Sequence, residues 1–312
     1  MRSLGKRVRG KLLQGFESLS LRQNKMDYIE SKYFSYADPE DPVLKQILIR
    51  SIEFISGQPT IFKLYRKYQE SPEKWKSFWD GCVQLLGLKI NLDLDKLNSI
   101  PSSGPTIVVA NHPFGVLDGL VLSWIVSQKR TDFKLLVHSL LLRAPETKQN
   151  LLPIDFTGDK QALLTNLDTR KKAREHLSKG GCVIIFPSGS VSTTTKFYQN
   201  KSKAFDPEWK KFTSRLIKQT DPEIIPINFP GANSSFFQFC SHLSPILRSS
   251  LLFSEIKRRI NSEVPVYIGK SFKYSQLEDK VSNQELADFL RKKTYLLDKR
   301  FEDSPPYGFE PE

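Results

Sequence analysis

The chain has 312 residues, of which 39% are hydrophobic and 26% charged, and its mean hydropathy is −0.38. That composition excludes a disordered tail, a collagen-like chain and a polytopic membrane protein, and the length suits two domains or one large α/β domain. Lys and Arg number 47 against 34 Asp and Glu, a net charge of +13, which implies an anionic partner: nucleic acid, an acidic membrane surface or a phosphorylated small molecule.

Residues 1–20 are basic and weakly amphipathic. Leu4, Val8, Leu12, Leu13, Phe16 and Leu19 share a face at near-helical spacing, opposite Arg2, Lys6, Arg7, Arg9 and Lys11. Two readings stay open: an arm lying on anionic headgroups, or a frayed, solvated terminus. No apolar run of secretory-signal length follows, so export is not expected. The pattern over 42–87 is helical. Leu44, Ile47, Leu48, Ile52 and Ile55 make one stripe that Gly57 stops, and Ser71-Pro72-Glu73 reads as the start of a second helix. That helix carries Trp75, Phe78, Trp79, Cys82, Val83 and Leu86 as a core stripe.

From Leu88 onward short apolar runs alternate with helical stretches. Strands are expected at 88–92, 106–110, 133–137, 182–186, 223–228 and 264–268, and helices near 117–127, 159–179, 206–220 and 236–260. The alternation predicts an α/β fold, with Thr106–Ala110 and Cys182–Phe186 as buried central strands. The longest stretch without a charge, 224–247, is broken by Pro226, Pro230, Gly231 and Pro245, so no membrane-spanning helix is expected. Cys82, Cys182 and Cys240 are far apart and read as reduced, small apolar side chains; neither they nor His112, His138, His176 and His242 have metal-ligand spacing. The end of the chain, from Ser304, holds three prolines and reads as an untethered tail.

Three strand-to-turn junctions carry the chemistry. After the strand at 106–110 come Asn111-His112-Pro113-Phe114-Gly115-Val116-Leu117-Asp118-Gly119. Open α/β sheets place their sites at the carboxyl ends of strands. On one continuous helix His112 and Asp118 would lie about 240° apart, but Pro113 and Gly115 predict a turn that folds the imidazole back over the carboxylate. Such a pair can take a proton from a substrate hydroxyl. The alternative is a capping Asp beside an incidental loop His. After the strand at 182–186 come Pro187-Ser188-Gly189-Ser190-Val191-Ser192, then Thr193 to Thr195 and Lys196, a turn whose backbone N–H groups suit an anion or oxyanion, or else an ordinary polar turn. Ser192 stands where a nucleophile elbow needs glycine, which argues against a Ser190 or Ser192 hydrolase. The third junction is Ile224-Ile225-Pro226-Ile227-Asn228-Phe229-Pro230-Gly231.

The strand-Asn-His-Pro-Phe-Gly-Val-Leu-Asp-Gly block resembles the first motif of the lysophospholipid (glycerolipid) acyltransferase superfamily. Phe186-Pro187-Ser188-Gly189-Ser190 stands in the place of its Phe-Pro-Glu-Gly-Thr-Arg motif, and Ile224-Ile225-Pro226-Ile227-Asn228 resembles its last. Gly57-Gln58-Pro59, Phe78-Trp79-Asp80, Leu152-Pro153-Ile154-Asp155-Phe156 and the run from Gly231 to Gln238 are similar to its bacterial hemolysin-like branch. Three departures stand out. The His-to-Asp spacing is one residue longer than the family's common form, and Gly115 can absorb it. The third-motif Glu and Arg are absent, with Ser188 and Val191 near their places. No second-motif Arg is evident near 152–155. Their loss argues against lysophosphatidic acid or glycerol 3-phosphate as acceptor.

The resemblance implies a mixed, largely parallel sheet flanked by helices, with a helical N-terminal extension. It divides the chain into a basic arm and helices over 1–85, an acyltransferase domain over 86–275 and a C-terminal helix and tail over 276–312. It implies acyl transfer from acyl-CoA or acyl carrier protein to a lyso-lipid hydroxyl, with no bound cofactor and no metal. His112 is then the base, Asp118 its orienting partner, and Asn111, Gly115, Pro187, Ser188, Gly189, Ser190 and Lys196 bind substrate. The implied partners are the thioester donor, for which residues 158–218 at net +8 offer a docking surface, and an anionic membrane, with no nucleic acid. The implied location is the cytoplasmic face of the inner membrane, peripheral or monotopic, with 1–20 and 243–260 as membrane-contacting segments. The alternative from another class is a non-catalytic basic protein binding anionic membrane or nucleic acid.

Overall fold

The computed structural model describes residues 35–37, 41–138, 144–155, 159–277 and 281–310; the basic arm at 1–20 lies outside them. Among the described residues three helices come first: α1 (Val43–Ser56), α2 (Gln58–Gln69) and α3 (Phe78–Leu85). Gly57 ends α1 as read from the sequence, but the apolar stripe points outward. Leu44 is 79% and Ile55 81% exposed, while Ile49, Glu53 and Ser56 face in. The buried Glu53 carboxylate explains the orientation, because it accepts the Ser35 hydroxyl and the Tyr36 N–H, each at 2.6 Å. Ser71-Pro72-Glu73 opens only a 3₁₀ turn and Ser71 makes no cap. The true cap of α3 is Ser77, whose hydroxyl accepts the Asp80 N–H, and α3 buries Trp79 and Val83 as expected.

The chain then runs β1 (Lys89–Asn91), α4 (Leu94–Asn98), β2 (Thr106–Ala110), α5 (Val116–Ser127), β3 (Phe133–His138), β4 (Leu151–Ile154), α6 (Lys160–Ser178) and β5 (Cys182–Ile185). After these come β6 (Thr193–Thr194), β7 (Ala204–Phe205), α7 (Lys211–Thr220), β8 (Glu223–Asn228), α8 (Ser235–Leu243), α9 (Pro245–Ser250), α10 (Leu252–Arg258), β9 (Glu263–Pro265), β10 (Tyr267–Ile268) and α11 (Asn283–Tyr295). Six strands form the main sheet in the order β10-β8-β2-β5-β3-β4, parallel except for β10. This is the mixed, largely parallel α/β architecture expected.

The central strands β2 and β5 are buried along their whole length, with Ile107 opposite Val183. Their side chains alternate between two cores. Val108, Ala110 and Ile184 pack with Leu117 and Val121 of α5 and Trp79 of α3, whereas Ile107, Val109 and Val183 pack with Ala173 of α6, Leu216 of α7 and Leu290 of α11. Each such side chain contributes about 1.5–3 kcal/mol by leaving water, which fixes the carboxyl end of β2 firmly.

Several expectations need correction. β4 was not expected; it holds Pro153 and survives because it is the edge strand, where a missing N–H is tolerated. The helix expected over 206–220 begins only at Lys211, and the one over 236–260 is three helices, broken at Ser244 and Leu251. Most of the apolar face expected over 243–260 is not free to contact a membrane, since Leu251, Leu252 and Ile256 are buried with Phe253 and Arg248, while Leu243, Lys257 and Arg258 stay exposed. Nor is the C-terminal tail untethered. The buried Arg291 guanidinium donates to the Ser304 hydroxyl and to the carbonyls of Pro305 and Pro306, and the Gly308 N–H donates to the Asp206 carbonyl at 2.9 Å. A Cβ at Gly308 would lie 1.9 Å from the Phe205 carbonyl oxygen and 2.5 Å from that of Thr193, so only glycine fits against the β6–β7 hairpin.

Candidate active site

β2 delivers Asn111 and His112 to the carboxyl edge of the sheet. The chain then turns at Gly115, which adopts φ +72° and sits where an added Cβ would come within 2.8 Å of Leu252. This left-handed glycine absorbs the extra residue between His112 and Asp118. Asp118, in the first turn of α5, accepts the N–H groups of Phe114 at 2.8 Å and Gly115 at 3.0 Å through Oδ2. The same oxygen lies 3.1 Å from Nδ1 of His112. Asp118 therefore caps the helix and also faces the imidazole. The pair is close but poorly aligned for a hydrogen bond, as such pairs often are before substrate arrives. The imidazole stacks on Phe186 with ring centroids 4.1 Å apart. Asp118 is fully buried, and burial pushes its carboxyl above the usual range, opposed by His112, the Phe114 amide and Arg259.

The β5 turn packs directly on this loop. Ser192 N–H donates to the His112 carbonyl at 2.8 Å, the Ser188 hydroxyl donates to the Ser190 carbonyl, and the buried Pro187 carbonyl accepts the Lys210 N–H. Gly189 N–H is spent on the Phe186 carbonyl and Ser190 N–H on the Ser188 hydroxyl. The third junction is latched by Asn111, whose carboxamide donates to the Phe229 carbonyl at 2.9 Å and accepts the Phe229 N–H at 2.7 Å. Of the nine residues singled out in the sequence, eight therefore gather on these interlocked turns. Lys196 does not: it is exposed beyond β6 with its ammonium 5.8 Å over the Tyr198 ring.

Three residues at this edge were not read from the sequence. Asp206 is buried after β7 and accepts the His112 N–H at 3.0 Å, the Ser192 hydroxyl at 2.5 Å and the Trp209 indole N–H at 2.9 Å. Arg248 of α9 inserts into the β5 turn, donating to the Thr193 hydroxyl at 2.6 Å, to the Val191 carbonyl and to the Ser190 hydroxyl. Burial pushes its guanidinium down to about 10. An arginine thus does reach this turn, from a different element than the motif would use. Its only sequence signal was a lone charge among Ile246, Leu247, Ser249 and Ser250. Arg259 stacks over Phe114 at 3.5 Å from the ring centroid.

An almost wholly apolar cavity runs along α5, the helix whose first turn carries Asp118. Its walls include Val116, Gly119 and Leu120 of α5, Trp79 of α3, and Leu252 and Ile256 of α10. It suits an alkyl chain. Among the described residues no group of three His, Cys, Asp or Glu is placed to hold a metal ion, and no helix is long and apolar enough to cross a membrane.

Residues 91–229 match the Acyltransferase family model. The chain is 25% identical over 228 residues to a lyso-glycine lipid O-acyltransferase of Phocaeicola vulgatus, covering 70% of this chain and 77% of that one. A protein of the same name from Bacteroides thetaiotaomicron is 25% identical over 227 residues, covering 70% and 79%. Among solved structures, the 1-acyl-sn-glycerophosphate acyltransferase PlsC of Thermotoga maritima aligns over 90% of this chain and 99% of its own, with 16% identity and a TM-score of 0.43.

Proposed function

We propose that this chain, whose residues 91–229 match the Acyltransferase family model, moves a fatty acyl group from a thioester donor, acyl-CoA or acyl carrier protein, to a hydroxyl of a lyso-lipid. The observation that carries this reading is the His112–Asp118 pair, 3.1 Å apart at the end of β2, with an apolar cavity walled by Val116, Gly119 and Leu120 of the same helix. His112 Nε2 takes the proton of the acceptor hydroxyl as its oxygen attacks the thioester carbonyl. Asp118 holds the ring through Nδ1 and stabilises the imidazolium. The tetrahedral intermediate collapses to the new ester, and the departing thiolate takes the proton back from His112. The Ser190 hydroxyl, backed by Arg248, and the amides that the β5 turn does not spend internally face the developing oxyanion. The acyl chain lies in the apolar cavity. A lyso-lipid acceptor matches the activity for which the two bacterial relatives are named.

The lipid is reached at an anionic membrane surface that the net charge of +13 favours. The test is a panel of lyso-lipids offered with one acyl-CoA and one acyl carrier protein donor, with products read by mass spectrometry. Transfer that His112→Ala removes is expected. A folded protein that acylates nothing in the panel would overturn the reading.

A further inference from the structure

A second, polar pocket opens on the other side of the His112 loop. Asn111 and Phe114 line it, together with Asn228, Arg259, Lys201 and the exposed Arg300. Its charges are unevenly matched. Arg300 is held by both oxygens of Asp298, Nε at 3.0 Å from Oδ1 and Nη2 at 2.5 Å from Oδ2. Among the described residues the Arg259 guanidinium has only the Ala232 carbonyl, at 3.1 Å, as hydrogen-bond partner, and its Nε is buried with none. Burial, with Arg258, pushes its guanidinium below the usual range, opposed through space by Asp118 and Glu255, and its face rests on the Phe114 ring. Lys201 is exposed at the rim and forms no ion pair among the described residues. One further polar atom is orphaned here: Oδ1 of Asn228 is buried without a donor.

Two cations and one buried acceptor define a ligand with an acid group and an N–H close to it. We propose that this pocket takes the acceptor's headgroup, an amino acid joined to the lipid through an amide and keeping its carboxylate free. The carboxylate meets Arg259 and Lys201, and the amide N–H meets Asn228 Oδ1. This rests on the acyltransferase reading and adds the chemical class of the acceptor to it. A glycine-headed lipid fits if glycine is linked through its nitrogen. Linked through its carboxyl, it would bring an ammonium against two cations and be rejected by like-charge repulsion. Arginine suits the acid because its planar fork meets a carboxylate with two parallel bonds.

The experiment offers an N-(hydroxyacyl)glycine and the matching glycinamide to the full chain with a single donor. The wild type should prefer the acid by about tenfold or more in kcat/KM. Arg259→Gln should raise the acceptor KM for the acid about tenfold more than the KM for glycinamide and leave the donor KM unchanged, with a thermal melt reporting the fold. Arg259→Lys should keep part of the preference, and Lys201→Gln, at an exposed side chain, should cost a smaller factor. Equal use of acid and amide by the wild type overturns the proposal. So does an Arg259→Gln defect seen in the donor KM, which would give the pocket to donor phosphates. If other lyso-lipids are acylated but neither glycine compound is, the pocket assignment fails while the acyltransferase reading stands; transfer to no lyso-lipid at all overturns both.

Discussion

The carboxylate of Asp206 accepts the backbone N–H of His112 at 3.0 Å and, on the same oxygen, the hydroxyl of Ser192 at 2.5 Å. Its own carbonyl accepts Gly308 N–H and Arg291. One buried side chain therefore ties the histidine loop, the β5 turn and the C-terminal segment together. No atom of it needs to touch substrate to set where the imidazole sits.

Asp206→Asn keeps one acceptor oxygen but turns an NH₂ group toward either the Trp209 indole or the His112 and Ser192 donors. We expect kcat to fall about 10- to 100-fold with both KM values within about threefold, because a misplaced imidazole is felt in the transition state. Asp206→Ala leaves three buried donors unpaired at about 1–3 kcal/mol each and should fold poorly. Steady-state kinetics beside thermal melts separate the two effects. Wild-type kcat in a stable Asp206→Asn protein would reduce Asp206 to scaffolding.

Much of this edge was legible in the sequence because its signals are local. A strand of Ile and Val that ends in Asn-His-Pro, and a glycine placed before a helical run, specify the turn without reference to the rest of the chain. Asp206, Arg248 and Arg259 gave no such signal. Each acts across long sequence separations, 94 residues between Asp206 and His112 and 55 between Arg248 and Thr193, and spacing patterns are blind to that. The stripe of α1 shows the opposite failure. Its period predicted the helix, but the period does not say which face is inside, and the buried Glu53 decided that.

His112→Ala and Asp118→Ala should each cost about 10²–10⁴-fold in kcat, the usual loss for general acid–base groups. Asp118 adds a pH signature. Burial raises its folded-state carboxyl above the unperturbed 3.8 of the unfolded chain, so the folded state binds the proton more tightly. Its contribution is thus fully present below 3.8 and lost as pH rises through the folded value. The wild type should gain stability relative to Asp118→Asn as pH is lowered toward 3.8 from neutrality. Paired denaturant titrations over that range check it; a pH-independent difference would contradict the assignment.

The tail makes a separate prediction. Removing residues 304–312 deletes every tail partner of Arg291, leaving a guanidinium that is only 2% exposed short of acceptors, and removes the Gly308 contact to Asp206. Truncation should lower the melting temperature by several degrees and lower kcat through Asp206. Gly308→Ala should do the same in smaller measure, since its Cβ cannot fit. A truncated chain with unchanged melting and kcat would show that the clasp is idle.

For membrane contact, the outward stripe of α1 replaces the 243–260 segment as the candidate. Leu44, Ile47, Leu48 and Ile55 are exposed there, α9 packs between α1 and α8, and α8 exposes Phe236, Phe239 and Leu243. Exposed apolar side chains on two helices beside a basic protein's active edge suit an anionic leaflet. Ile47→Ser with Leu48→Ser should weaken co-sedimentation with anionic vesicles without changing turnover of a short-chain, soluble acceptor. Binding that is indifferent to these changes would exclude the stripe.

The last prediction concerns Arg248 and the phosphate question. The guanidinium that reaches the β5 turn is 6% exposed and is spent on Thr193, Val191 and Ser190. It shapes the turn and offers no free fork to a substrate phosphate. Lysophosphatidic acid and glycerol 3-phosphate should therefore be poorer acceptors than a lyso-aminolipid or a lysophospholipid with a bulky headgroup. The margin should be about 10²-fold, because a buried phosphomonoester without its partner is costly. Arg248→Lys keeps the charge but loses the planar contacts. It should lower kcat for every acceptor by a similar factor and leave their ranking unchanged. A competition assay with the wild type and Arg248→Lys measures both. If lysophosphatidic acid wins in the wild type and loses selectively in Arg248→Lys, the guanidinium does contact the substrate's phosphate, and its bonds within the turn must open to admit it.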